Sequence, residues 1–344
     1  MAESVSGAAA RTWDVTHTRR RRALLAGGAL AIALAAAAIP LLTSGGAAAR
    51  AKACLPYRVR QRVLHRPAPH AGPVPDFSHV VVIVMENKEC SEVLGSRQAP
   101  YLNRLGRRYA ALRDLYATTH PSFPNYLALT SGSTLGARAT CARCRYRARN
   151  LVDELEAAHL SWRAYMEGMP SACYKRSRAG PYAERHDPFL FYVDIRDDPR
   201  RCADVVPLTR LGPDVRAGRL PRFAWITPNL CDDMHDCGVR TGDAFLARTV
   251  PPLLHAVGSR GVVIITWDEG TTKRHCCGGL ARGGNIPTII AGGAVRAHAA
   301  PVTAYDAYSI LRTLEDAWHL PRLGGAACPC TPVIGDVWRR RATP

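Results

Sequence analysis

The sequence predicts an α/β sandwich, with a largely parallel central sheet flanked by helices. Three observations carry this. The runs "HVVVIVM", "RFAWIT" and "GVVIITW" are continuous and rich in β-branched residues, the pattern of strands buried on both faces of a parallel sheet. Each run stops at polar residues, and stretches with helical periodicity alternate with the runs, which is how a parallel sheet acquires its helical cover. The chain has 344 residues, enough to bury a substantial core, and shows no internal repeat, so one folded domain is expected.

The elements follow in order. Residues 1–53 read as an export signal or an N-terminal membrane anchor: four arginines, Arg19 to Arg22, precede an apolar stretch from Ala23 to Leu42 and then small residues. Either reading puts the rest of the chain outside the cytoplasm, secreted or in the cell envelope. Residues 54–75, ending in "HRPAPHAGPVP", form a Pro-rich linker, 76–338 the folded domain and 339–344 a basic tail. Within the domain the first apolar run ends at Glu86 and Asn87. "APYLNRLGRRYA" has helical spacing, "LRDLYATT" is extended, and the apolar run "NYLALTSG" starts a helix near Asn125. "NLVDELEAAHLSWRAYM" is a helix leading into a strand, "NIPTIIAGG" a further strand, and "YDAYSILRTLEDAWHL" an amphipathic closing helix.

Composition narrows the partners. The net charge is +18, or +13 without the first 53 residues, and 42 of the 46 basic residues are arginine. They are scattered rather than collected on one helix and no nucleic-acid-reading motif is present, so a solvated basic surface is expected and nucleic acid is not. Such a surface is compatible with anionic substrates or anionic lipid. Twelve cysteines in an exported chain read as disulfides, with local pairs expected at Cys141–Cys144, Cys231–Cys237 and Cys328–Cys330. A zinc reading of "CARC" lacks a second ligand pair at the required spacing. Cys90, Cys276 and Cys277 have no evident partner in the sequence.

In parallel α/β sheets, ligands gather beyond the carboxyl ends of the strands. Here those ends supply Glu86 and Asn87, then Asn229 with the acidic run Asp232, Asp233 and Asp236, then Asp268 and Glu269. One carboxylate alone is usually a cap or a surface charge, but three such clusters suit a divalent cation: Ca²⁺, Mg²⁺ or Mn²⁺, and with a histidine added Zn²⁺ or Fe. Ser122 lies in "TTHPSFPNY", where two prolines restrict the backbone just before a helix. Free N–H groups and the positive end of a helix dipole favour a phosphoryl group there. With no histidine base adjacent, metal coordination is the usual way to make an alcohol nucleophilic. A Ser-His-Asp hydrolase would want a G-x-S-x-G turn, which "HPSFPN" is not.

The segments "HVVVIVMENKECSEVLG", "ATTHPSFPNYLALTSGST", "HDPFLFYVDI", "WITPNLCDDMHDCG", "ITWDEG" and "YSILRTLEDAW" resemble, in the same order, the bacterial phosphoesterase family of acid phosphatases and non-specific phospholipases C. That family is similar to the alkaline-phosphatase superfamily, so the resemblance implies an alkaline-phosphatase-like sandwich in which Ser122 attacks phosphorus and becomes a phosphoserine. It further implies that Asn125 and nearby backbone N–H groups bind the non-bridging oxygens. Glu86, Asn87, Asp268 and Glu269 would hold a divalent cation (Ca, Mg, Mn or Zn), with Asp232 and Asp236 as further metal ligands. His120, His186 and His235 are candidates for phosphate contact, leaving-group protonation or a further metal site; His235 ranks first because it shares its loop with aspartates.

Two positions depart from the family pattern. Ala307 stands where many relatives carry a histidine, and "TTKRHCCGGLARGGN" replaces a Gly-rich loop with a cysteine pair and His275, a candidate replacement for the missing imidazole. The expectation is an exported, metal-dependent phosphoesterase of acid-phosphatase type. Monoesters are favoured because no extra membrane-binding domain follows. The alternatives are a phospholipase C acting on phospholipid head groups, or a non-catalytic phosphate-ligand binding protein on the same fold. A sulfatase would need C/S-x-P-x-R, and the arginine is missing.

Overall fold

The run "VVVIVM" forms the middle of the sheet, and every one of its residues is buried, which requires cover on both faces. These and the following features come from a computed structural model that describes residues 73–339; the expected export segment, most of the expected linker and residues 340–344 lie outside the described residues. The strands are β1 (Val80–Met85), β2 (Ala110–Tyr116), β3 (Trp162–Met166), β4 (Arg178–Ala179), β5 (Tyr182–Ala183), β6 (Val205–Pro207), β7 (Phe223–Thr227), β8 (Val262–Trp267), β9 (Asn285–Ala291) and β10 (Tyr305–Asp306). Eight of them form one sheet in the order β10-β2-β9-β8-β1-β7-β3-β6, while β4 and β5 make a separate antiparallel hairpin. Pairing is parallel except for β9, which runs against both β8 and β2.

The α-helices are α1 (Cys90–Val93), α2 (Pro100–Arg108), α3 (Ser122–Ser131), α4 (Leu151–Ala157), α5 (Val193–Arg196), α6 (Pro199–Cys202), α7 (Leu211–Arg216), α8 (Val239–Ala256) and α9 (Ala307–Ala317). Helix α2 packs on α8, and α3 on α9. Helix α3 begins at Ser122 rather than near Asn125, because Pro121 with its extended backbone serves as N-cap and Pro124 is tolerated in the first turn. The helix ends at Gly132, whose left-handed φ of 70° closes it and whose Cβ position would lie 2.2 Å from the Leu323 carbonyl oxygen.

The local disulfides form as expected at Cys141–Cys144, Cys231–Cys237 and Cys328–Cys330, and Cys173–Cys202 adds a longer link. Cys276 and Cys277 bond each other and Cys90 is also disulfide-bonded, so the thiols that lacked a partner in the sequence are not free. These bonds fit an oxidising compartment. Among the described residues no helix is long and apolar enough to cross a membrane.

Candidate active site

Strand order assembles the site. Strands β8, β1 and β7 are neighbours and parallel, so their carboxyl ends open onto one edge of the sheet. Met85 pairs in register with Trp267, and the next residues, Glu86 and Asp268, therefore emerge side by side. The Asn87 N–H donates to Asp268 Oδ1 at 3.3 Å across this seam. Beyond β7, the Asn229 carboxamide accepts the N–H groups of Cys231 and Asp232, which winds the chain into a tight loop closed by Cys231–Cys237. That winding turns Asp233 inward, and its carbonyl accepts the Glu86 N–H at 2.8 Å.

Ser122 meets these groups from the other side. Its hydroxyl oxygen lies 3.0 Å from Glu86 Oε2 and 2.9 Å from Glu269 Oε1. A hydroxyl has one proton, so two ionised carboxylates cannot both be satisfied by it. Tyr126, one turn further along α3, donates to Glu86 Oε1 at 2.5 Å. Asn125 is fully buried, and its carboxamide closes the loop on itself: Oδ1 accepts the Thr119 N–H at 2.9 Å while Nδ2 donates to the carbonyls of Thr119 and Pro121. This ties Asn125 to backbone, where the resemblance implied phosphate contact. His120 hydrogen-bonds through Nδ1 to Glu269 Oε2 and through Nε2 to the Thr272 carbonyl at 3.0 Å. The Glu269 contact raises the His120 pKa above its ordinary value, in favour of the imidazolium.

His186 completes a buried triad. Its Nε2 lies 3.3 Å from Glu86 Oε1 and its Nδ1 3.5 Å from Asp233 Oδ2, and ligand atoms of Glu86, His186 and Asp233 all fall within 4.8 Å of one another. Burial, reinforced by Arg185 and His235, holds the His186 pKa well down, so the ring is neutral and offers a lone pair. Burial together with the Asp233 charge pushes Glu86 up to about 8, burial pushes Asp233 up to about 8, and burial followed by the charges of Glu86 and Glu269 raises Asp268 well above the usual range. Asp233 Oδ2, Asp268 Oδ2 and His186 Nε2 are buried without hydrogen-bond partners.

Carboxylates that repel one another, a neutral imidazole and orphaned buried acceptors make a donor set that fits a divalent cation. Of the residues expected around a cation, Glu86, Asp268 and Glu269 come together at Ser122. Asp232 and Asp236 do not join them: the Asp232 carboxyl interacts with Glu167, and Asp236 accepts from His235 Nδ1 at 2.6 Å. The inward position belongs to Asp233, which the sequence pattern did not separate from its neighbours. Asn87 reaches the site through its backbone N–H, from a left-handed φ of 51° that asparagine tolerates. His235 lies at the rim, its ring centroid 5.8 Å from that of His186. Tyr126 and Arg185 were not anticipated. The helical spacing of Tyr126 one turn after Ser122 was the available signal for the first.

Comparison with known proteins places the chain among phosphoesterases. The profile of the Phosphoesterase family matches residues 92–321. The phosphatidylinositol-3-phosphatase of Mycobacterium tuberculosis is 32% identical over 275 residues, covering 78% of this chain and 85% of that protein. The phosphate-repressible acid phosphatase of Penicillium chrysogenum is 29% identical over 238 residues, covering 66% of this chain; the chain spans 56% of that longer protein. A solved protein of the alkaline phosphatase superfamily from Vibrio parahaemolyticus superposes with a TM-score of 0.52 at 13% identity, over 78% of this chain and 71% of that one, which speaks to the fold alone.

Proposed function

The chain belongs to the phosphoesterase family and hydrolyses phosphoric esters, and from that premise we propose that it is an exported, metal-dependent phosphomonoesterase working through a phosphoserine at Ser122. The observation that carries this reading is the Ser122 hydroxyl at the first position of α3, within hydrogen-bond distance of both Glu86 and Glu269. Glu86, His186 and Asp233, with Asp268 beside them, would hold the cation. When bound, it supplies positive charge that lowers the serine pKa and offsets the phosphate charge.

The chain's own residues do the rest. Glu269 accepts the serine proton, and His120, hydrogen-bonded to its other oxygen, holds the carboxylate in place for that transfer. Ser122 Oγ forms a bond to phosphorus as the ester P–O bond breaks and the alcohol departs. Water then attacks the phosphoserine, releasing phosphate and restoring the hydroxyl. The N–H groups at the start of α3, together with its dipole, stabilise the charge that accumulates on the phosphoryl oxygens. Asn125 keeps the loop from Thr119 to Pro121 in the shape that presents Ser122. The names of both relatives, a phosphatidylinositol-3-phosphatase and an acid phosphatase, support a monoester substrate. The disulfides support export.

The test compares wild type and Ser122→Ala on an aryl phosphate, a short-chain phosphatidylinositol 3-phosphate and phosphatidylcholine. Wild type is expected to release phosphate from at least one of the two monoesters and to lose that activity with chelator. Ser122→Ala should fall by a factor on the order of 10³ or more, and acid-quenched wild type should carry phosphate on the peptide containing Ser122. Wild-type turnover by Ser122→Ala would falsify the mechanism. Cleavage of phosphatidylcholine alone would favour the phospholipase C reading.

A further inference from the structure

Arg185 precedes His186 in a short 3-10 turn, Glu184–His186, is half-buried, and reaches His235 with its guanidinium. The nearby acid is already taken, since Glu184 is approached by both Arg145 and Arg196. Among the described residues the one hydrogen bond of the Arg185 side chain runs from Nη2 to His235 Nε2, at 3.4 Å. His235 Nδ1 lies 2.6 Å from Asp236 Oδ1. That contact holds the ring proton on Nδ1, so Nε2 carries the lone pair that accepts the guanidinium N–H. A tethered chain, Asp236 to His235 to Arg185, thus fixes a positive charge that has no carboxylate of its own among the described residues.

The charge faces the reaction centre. Its partner His235 has its ring centroid 5.8 Å from that of His186, a member of the buried triad. A guanidinium has five N–H donors and remains charged, and one that lacks an anion beside a phosphate-ester site is suited to phosphoryl oxygens. A monoester dianion offers three such oxygens and two charges; a diester offers two oxygens, one charge and a second ester arm. We propose that Arg185, held by the Asp236–His235 pair, binds the non-bridging oxygens of the substrate and sets a preference for dianionic monoesters over diesters. This rests on the reaction assigned to Ser122. Arg185 is the contacting residue, while His235 and Asp236 position it.

The experiment uses the full chain with its disulfides intact, as wild type, Arg185→Ala, Arg185→Lys and Asp236→Asn. It measures kcat/KM on an aryl phosphate and on a bis-aryl phosphate, competitive inhibition by inorganic phosphate, bound metal and Tm. Arg185→Ala should lower kcat/KM for the monoester about 100-fold and that for the diester less than about fivefold, and weaken phosphate inhibition at least about tenfold, with metal content and Tm unchanged. Arg185→Lys should recover part of the loss, and Asp236→Asn should show a smaller, monoester-selective loss of about fivefold. Equal losses on both esters, unchanged phosphate inhibition, or losses that track lost metal or lowered Tm would each overturn the assignment. If wild type leaves the diester untouched, the inhibition constant alone decides. A wild type inactive on every phosphate ester sinks the reaction itself, whereas an active wild type whose Arg185→Ala variant binds phosphate equally well sinks only this inference.

Discussion

Glu315 on α9 is a carboxyl group the reaction does not use. One of its oxygens accepts the Leu323 N–H at 2.9 Å and the other is buried without a partner. Burial pushes its pKa from 4.5 up to about 8, although the Leu323 N–H works in the opposite direction. Between those values the folded chain keeps a proton that the unfolded chain has lost, so stability falls as pH rises. The contribution is complete below the unfolded pKa of 4.5 and lost as pH passes about 8. Glu315→Gln keeps an acceptor for Leu323 and removes the titration. Denaturant unfolding should show the variant more stable by about 1–2 kcal/mol at pH 8, with the gap closing near pH 5. A gap independent of pH would exclude this origin. At the same scale, Ser122 was legible because two prolines and a helix start mark it in the sequence. Asp233 was not: three aspartates on one loop look alike until the Asn229 turn and the disulfide choose which one faces inward.

The segment joining β8 to β9 shows what an element contributes. It lies along residues 117–120: the Gly283 and Arg282 N–H groups donate to the carbonyls of Ala117 and Thr118, and the Thr272 carbonyl accepts from His120. Only a glycine allows that approach, since a Cβ at position 283 would lie 2.2 Å from the Thr119 carbonyl oxygen. Gly283→Ala should therefore cost about 1–3 kcal/mol and, by displacing His120, lower kcat/KM about tenfold. Urea melts and aryl phosphate turnover check this, and unchanged turnover would mean that the segment does not orient the site. The sequence placed a strand at "NIPTII" but not its direction. Strand β9 runs antiparallel because the connection from β8 carries no helix long enough for a parallel crossover, and its one helical turn covers Cys277–Gly279. Short strands such as β6 and β10 were not legible either, because a few residues carry too little periodicity.

At the scale of the described domain, the buried acids couple stability to pH and, under the proposed function, to cation. Glu86 and Asp233 each titrate near 8, raised from 4.5 and 3.8. Without a cation, the folded form therefore gains most from its protonated acids below about pH 4 and loses that gain as pH climbs through 8. A divalent cation held by these residues, as proposed, would favour the ionised form and reverse the trend. Tm measured with chelator should fall from pH 5 to pH 8, and added Mg²⁺, Ca²⁺, Mn²⁺ or Zn²⁺ should raise it more at pH 8 than at pH 5. A cation effect equal at both pH values would argue against these carboxylates as its site. By itself the sequence determined the long strands, the polar residues at their ends, the serine before a helix and the local disulfides, because each depends on neighbours along the chain. Tertiary structure alone decided that Asn87 and Asp268, 181 residues apart, would touch, since that follows from the sheet order β8-β1-β7. It also decided that Asp233 would face His186 and that Arg185 would have no acid partner among the described residues. Those outcomes depend on which surfaces pack together and which charges the packing isolates, and no local pattern in the chain encodes them.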